Sequence, residues 1–304
     1  MIPFNVTILG NGSAVPTSFQ NPTSQLVTYG SKRFMIDCGE GTQMQMIKYK
    51  TGHRNLDHIF ISHLHGDHFF GLVGLVNTFH LFGRQIPLHI YAPADIKKVM
   101  DVQLEVSKTT LRYPLVYHNL EENCGEPLFE DNNLVVSCFP LNHRIPAYGF
   151  LFKEKPGERK LKKSFVNEFN PSIEQMHAIK QGLDFETETG RLISNREITN
   201  DPPSPRSYAF CSDTAYFEEI IPHIQKVTLL YHEATFDNSQ EDMAKEKFHS
   251  TAAQAALIAT KAGADKLLLG HFSARFRDKS HLLKEAVARY KNTQLSEEGK
   301  CYEV

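Results

Sequence analysis

Ile59-Phe60-Ile61-Ser62-His63-Leu64-His65-Gly66-Asp67-His68 joins an apolar run directly to three imidazoles and a carboxylate packed into six residues. The apolar part reads as a buried strand, so the polar part sits on the loop at its end. Imidazole nitrogen and carboxylate oxygen are the donors that zinc and similar divalent metals take. On a loop leaving a strand, His63 and His65 aim at one ion, and Asp67 and His68 reach a second. A single catalytic zinc uses three protein ligands and leaves one position for water. Four donors here, with more downstream, therefore point to two metals, an arrangement suited to phosphodiester hydrolysis.

Further donors occupy equivalent places. His143 follows the apolar run at 134–141, Asp213 follows Phe210-Cys211-Ser212, and His271 follows Leu267-Leu268-Leu269-Gly270. Strand ends converge on one edge of α/β layers, where ligands gather. A lone histidine is more often structural than a ligand, but the repeated strand-then-donor pattern lifts His143 and His271 above that expectation.

Strand-like runs recur at 4–9, 25–29, 34–36, 59–62, 88–91, 134–139, 208–211, 228–231 and 266–269. Helical patterns lie among them at 42–50, 69–82, 94–106, 250–262 and 280–290. Early strands follow one another across short turns and later ones alternate with helices, which predicts an α/β fold, a four-layer αβ/βα sandwich filling residues 1–304. One segment breaks the pattern. Residues 153–206 carry Pro156-Gly157, Asn170-Pro171, a helix expected at 172–181, a Thr189-Gly190 turn and Pro202-Pro203-Ser204-Pro205, with little core-like periodicity. They read as an inserted arm, and its first eleven residues hold six Lys or Arg against two Glu. A lone charge run is usually a solvated surface.

The chain of 304 residues, 41% hydrophobic and 22% charged, has the composition of a globular protein with a substantial core. Its formal net charge of −2 excludes a globally basic nucleic-acid binder, so any RNA contact must be local. Five scattered cysteines without a Cys-x-x-Cys pair fit neither a disulfide framework nor a thiolate zinc knuckle. No apolar stretch approaches the roughly 20 residues that span a bilayer. The first residues lack a basic leader and cleavage site, so a cytoplasmic location is expected.

The string His-x-His-x-Asp-His with distant His143, Asp213 and His271 resembles the ligand set of the metallo-β-lactamase superfamily. A narrower resemblance lies in Ile8-Leu9-Gly10-Asn11-Gly12-Ser13-Ala14-Val15-Pro16, Ile36-Asp37-Cys38-Gly39-Glu40-Gly41-Thr42, Ser212-Asp213-Thr214, His232-Glu233-Ala234-Thr235, His249-Ser250-Thr251 and His271-Phe272-Ser273-Ala274-Arg275. These segments are similar to the motifs of the ribonuclease Z family and extend from Ile8 to Arg275.

The resemblance implies two zinc ions per chain in a metallo-β-lactamase sandwich. His63, His65 and His143 would hold one, Asp67, His68 and His271 the other, and Asp213 would bridge them. Asp67 would also orient the attacking water and take its proton. His249 would protonate the leaving 3′-oxygen, with Glu233 fixing its ring, and Ser273 and Arg275 would bind phosphate. The family carries an exosite between its counterparts of His143 and Asp213, so the arm at 153–206 would grip the tRNA body through Lys155, Arg159, Lys160, Lys162 and Lys163. The implied partner is precursor tRNA, cut to remove its 3′ trailer and leave a 3′-hydroxyl on the tRNA and a 5′-phosphate on the trailer. A homodimer is implied as well. Two alternatives stand beside this: a dinuclear zinc phosphodiesterase acting on small aryl or cyclic-nucleotide phosphodiesters, and a non-catalytic RNA-binding subunit.

Overall fold

The computed structural model describes residues 2–304. In chain order the strands are β1 (Phe4–Gly10), β2 (Ser24–Tyr29), β3 (Lys32–Cys38), β4 (Leu56–Phe60), β5 (Leu88–Ala92), β6 (Leu115–Asn119), β7 (Pro127–Glu130), β8 (Leu134–Pro140) and β9 (Tyr148–Glu154). After them come β10 (Lys160–Leu161), β11 (Phe185–Glu186), β12 (Leu192–Ile193), β13 (Thr199–Asn200), β14 (Ser207–Cys211), β15 (Leu229–Glu233), β16 (Lys266–Gly270), β17 (Thr293–Leu295) and β18 (Cys301–Glu303). One seven-stranded sheet runs β18-β1-β2-β3-β4-β5-β6 and a second runs β17-β16-β15-β14-β9-β8-β7. β1, β2 and β3 form an antiparallel meander, whereas β3 to β6 and β14 to β17 pair in parallel.

Burial explains the layering. Leu9, Met35, Ile59 and Ile90 of the first sheet pack with Met46, Leu72, Val76, Phe79 and Met100 from helices on its outer face. Ala209, Leu230, Leu267 and Leu269 of the second sheet pack with Ala255, Ile258, Ala259 and Leu282 from helices on the other side. The facing sides of the sheets are joined by aromatic rings: Phe60 meets Phe150 at 5.3 Å and Phe34 meets Phe152 at 5.5 Å. This is the four-layer αβ/βα sandwich, with parallel strands ending at a common edge where loops carry polar side chains.

Two helices depart from the sequence reading in ways that shape the site. The pattern at 69–82 divides into Gly66–Phe69 and Leu72–Leu81. At the break the Gly71 amide donates to the Cys38 carbonyl at 2.9 Å, and a Cβ there would lie 2.2 Å from the Gly39 oxygen, so the chain is pinned to the end of β3. The helix expected at 250–262 begins at Ala252, capped by Thr251 in a reciprocal capping box with Gln254. Ser250 instead donates its hydroxyl to the Thr214 carbonyl at 2.7 Å.

The chain divides into two compact units, the second made of Glu130–Val135 and Lys153–Arg206. The weak periodicity of 153–206 hides a small core of its own. Phe165, Ile179, Phe185, Ile193 and Ile198 are buried together, with Leu161, Val166 and Phe169 packed against them. Short helices at Lys163–Phe169, Ile173–Lys180 and Asn195–Ile198 and two-residue strand pairs supply these residues, so no single element is long enough to show a period.

Candidate metal centre and active site

Four loops at the common strand edge deliver the donors. His63, His65, His143 and Asp213 bring one ligand atom each within 4.8 Å of one another, and so do Asp67, His68 and His271. Asp213 faces both groups. Its Oδ2 lies 3.6 Å from His63 Nε2 and 3.9 Å from His143 Nε2, while its Oδ1 lies 3.4 Å from His68 Nε2 and 3.1 Å from His271 Nε2. Asp67 Oδ2 lies 3.5 Å from both His68 Nε2 and His271 Nε2.

The far ring nitrogens are held from outside. Ser62 Oγ meets His63 Nδ1 at 3.0 Å, Asp37 Oδ2 meets His68 Nδ1 at 2.7 Å, the Phe248 carbonyl meets His143 Nδ1 at 2.9 Å, and Thr235 Oγ1 meets His271 Nδ1 at 3.0 Å. An acceptor at Nδ1 keeps the proton there and leaves the Nε2 lone pair facing inward, as metal-binding histidines require. Asp67 is held by the Ala14 amide, which donates to its Oδ2 at 2.7 Å.

The arrangement fits divalent cations on its own terms. His68 Nε2 and His271 Nε2 are buried without a hydrogen-bond partner. His65 Nδ1 is approached by His63 Nε2 at 3.0 Å and by His143 Nε2 at 3.2 Å, and one proton serves only one of these. The Asp213 carboxylate is itself buried, 3% exposed, among these rings. Buried anions and orphaned imidazole lone pairs pointing at the same points are what a cation resolves.

Beside this cluster, His249 Nδ1 lies 2.8 Å from Glu233 Oε1, and His249 Nε2 lies 3.9 Å from Asp213 Oδ2. Burial opposes a charged His249 ring, but the Glu233 carboxylate outweighs it and lifts the pKa to about 9. Glu233 is fully buried at the end of β15 and accepts from the Thr214 amide at 3.0 Å and the Thr235 hydroxyl at 2.7 Å. It cannot be a surface carboxylate.

A cavity of about 590 Å³ opens over the cluster, and Ser273 and Arg275 line it. Arg144 and Lys247 line it too, as does Phe70. Sequence reading misses these three, and it assigns no role to Asp37, Ala14 or Thr235 within the motifs that contain them. Lys155, Arg159, Lys160, Lys162 and Lys163 belong to the second unit. Lys155 pairs there with Glu130 at 2.6 Å, Arg159 with Asp201, and Lys162 Nζ donates to the Glu197 carbonyl at 2.7 Å.

Sandwich and donor cluster together define a metal-binding hydrolase of the metallo-β-lactamase fold. The metallo-β-lactamase fold protein YhfI of Bacillus subtilis superposes with a TM-score of 0.70 at 19% identity, covering 99% of this chain and all of that one. Human tRNase Z, short form, also superposes with a TM-score of 0.70, at 27% identity over 98% of both chains. Ribonuclease Z of Bacteroides fragilis is 45% identical over 301 residues, 99% of each chain, and that of Porphyromonas gingivalis 45% over 293 residues, 96% of each. The chain belongs to the ribonuclease Z family. Residues 4–160 also match the family model described as Anti-Pycsar protein Apyc1, a span that includes His63 to His68 and His143 and ends before Asp213.

Proposed function

We propose that this chain is a dinuclear zinc endoribonuclease that removes the 3′ trailer of precursor tRNA, leaving a 3′-hydroxyl on the tRNA and a 5′-phosphate on the trailer. The observation that carries this is Asp213, whose two oxygens divide between two donor groups, with the His249–Glu233 pair alongside. His63, His65 and His143 would hold one ion and Asp67, His68 and His271 the other, with Asp213 facing both groups. Bound there, the two cations supply an acidified water and offset charge at phosphorus. The Asp67 carboxylate would orient the attacking water and accept its proton. His249 donates a proton from Nε2 to the leaving 3′-oxygen while Glu233 holds Nδ1. Ser273, Arg275, Arg144 and Lys247 hold the flanking phosphates. Incubation with an end-labelled precursor tRNA tests this, and products ending in a 3′-phosphate would refute it.

Purified protein should contain about two zinc ions per chain by elemental analysis, since seven donors exceed what one tetrahedral site uses. Zero metal in active protein would overturn the dinuclear reading. His249→Ala should slow cleavage by roughly 10² to 10⁴, the range for one general acid, with metal content unchanged. His249 also lies within ligand range of Asp213 and His271, so loss of metal in this variant would make it a ligand instead.

We further propose a cytoplasmic homodimer. Among the described residues no helix is long and apolar enough to cross a membrane. Ile47 and Phe82, each at least 66% exposed, edge an apolar groove between helices Thr42–Lys48 and Leu72–Leu81. Contiguous apolar surface of this kind marks interaction faces.

A further inference from the structure

Phe70 is 65% exposed, while its neighbour Phe69 is buried in the core of the first sheet. What sets this ring apart from other exposed apolar side chains is its place in the lining of the cavity over the donor cluster. Its position is fixed rather than loose. The Phe70 amide donates to the Gly66 carbonyl at 3.0 Å, and the ring lies so close over Gly66 that a Cβ there would come within 2.3 Å of its Cε2. Phe69 meets it edge-on at 5.0 Å. Within the same cavity lining stand His65, Asp67 and His143 of the donor cluster and the exposed cations Arg144, Lys247 and Arg275.

We propose that Phe70 is a stacking platform for the nucleobase adjoining the scissile phosphate. This rests on the reading that the substrate is RNA. Cations that hold a backbone beside an exposed ring that takes a base are the combination by which single strands are bound. Phenylalanine has no hydrogen-bonding group, and every base has a π-face, so Phe70 registers the presence of a base at that position and not its identity. Its effect is to seat one nucleotide so that the neighbouring phosphate lies over the donor cluster.

The test compares wild type, Phe70→Ala and Phe70→Tyr on one precursor tRNA, and on the same precursor with an abasic nucleotide immediately 5′ or 3′ of the cleavage site. Phe70→Ala is expected to lower kcat/KM on the intact precursor by roughly 5- to 150-fold, the range for one base on one aromatic ring. Phe70→Tyr should retain most of it. At one of the two positions the abasic substrate should cost wild type a similar factor and cost Phe70→Ala nothing further, while metal content stays equal in all three proteins. A Phe70→Ala enzyme within about twofold of wild type, well below that stacking range, would overturn the proposal. Equal abasic penalties in wild type and Phe70→Ala at both positions would also overturn it, as would loss of metal from the variant. Wild type that leaves every precursor uncut would instead refute the endoribonuclease reading, and the platform with it.

Discussion

Changing Asp67 to Ala should slow precursor-tRNA cleavage by roughly 10⁴-fold or more, beyond the upper end for a single general base, because it removes a metal donor as well. Asp67 Oδ2 stands 3.5 Å from both His68 Nε2 and His271 Nε2, so truncation removes one of the three donors of that group. The Ala14 amide loses its acceptor too, but that hydrogen bond is exposed and water replaces it. None of these changes touches the cations expected to hold RNA, so tRNA affinity should stay close to wild type. Rate and binding therefore separate, as they do when an interaction made only in the transition state is removed. Asp67→Asn sharpens the result: it keeps the shape and an oxygen donor but cannot take a proton at that oxygen. Equal falls in affinity and rate would make Asp67 a structural residue.

The metal string is legible in the sequence because its donors are contiguous and follow an unmistakable apolar strand. His143, Asp213 and His271 are legible from the same rule applied three more times, a strand followed by a donor. Residues that support the donors carry no such local mark. Asp37 lies inside β3 with φ 55° and is completely buried, and only the folded chain brings its carboxylate to His68. Thr235 gains meaning from meeting His271, 36 positions away. Phe70 disappears into a continuous helical pattern because Phe69, Leu72, Leu75, Val76 and Phe79 share one apolar period. The pinning of Gly71 to Cys38 and Gly39, which breaks that helix and turns Phe70 outward, is a tertiary contact that periodicity does not encode.

Replacing residues 153–206 by a short Gly/Ser linker should abolish precursor-tRNA cleavage at low substrate concentration while preserving metal content and hydrolysis of a small aryl phosphodiester. The excision is physically reasonable because the buried residues of that segment pack on one another. β9 and β14, which the segment joins, are neighbours in the second sheet, so a short linker spans the gap. Charge within the segment is uneven in its use. Lys155 and Arg159 already face Glu130 and Asp201, and Lys162 is tied to a carbonyl, whereas Lys160 and Lys163 are exposed and have no ion pair among the described residues. Neutralising all five should weaken tRNA binding and flatten the slope of log affinity against log salt by up to roughly 0.9 for each duplex phosphate no longer neutralised. Lys160 and Lys163 together should account for most of that change, because a cation already paired releases its partner on meeting a phosphate and gains less. Full retention of slope in the Lys160 and Lys163 double variant would place the phosphate-binding cations elsewhere. Equal precursor-tRNA cleavage by the excised and intact proteins would remove the segment from substrate recognition altogether and favour the small-substrate phosphodiesterase.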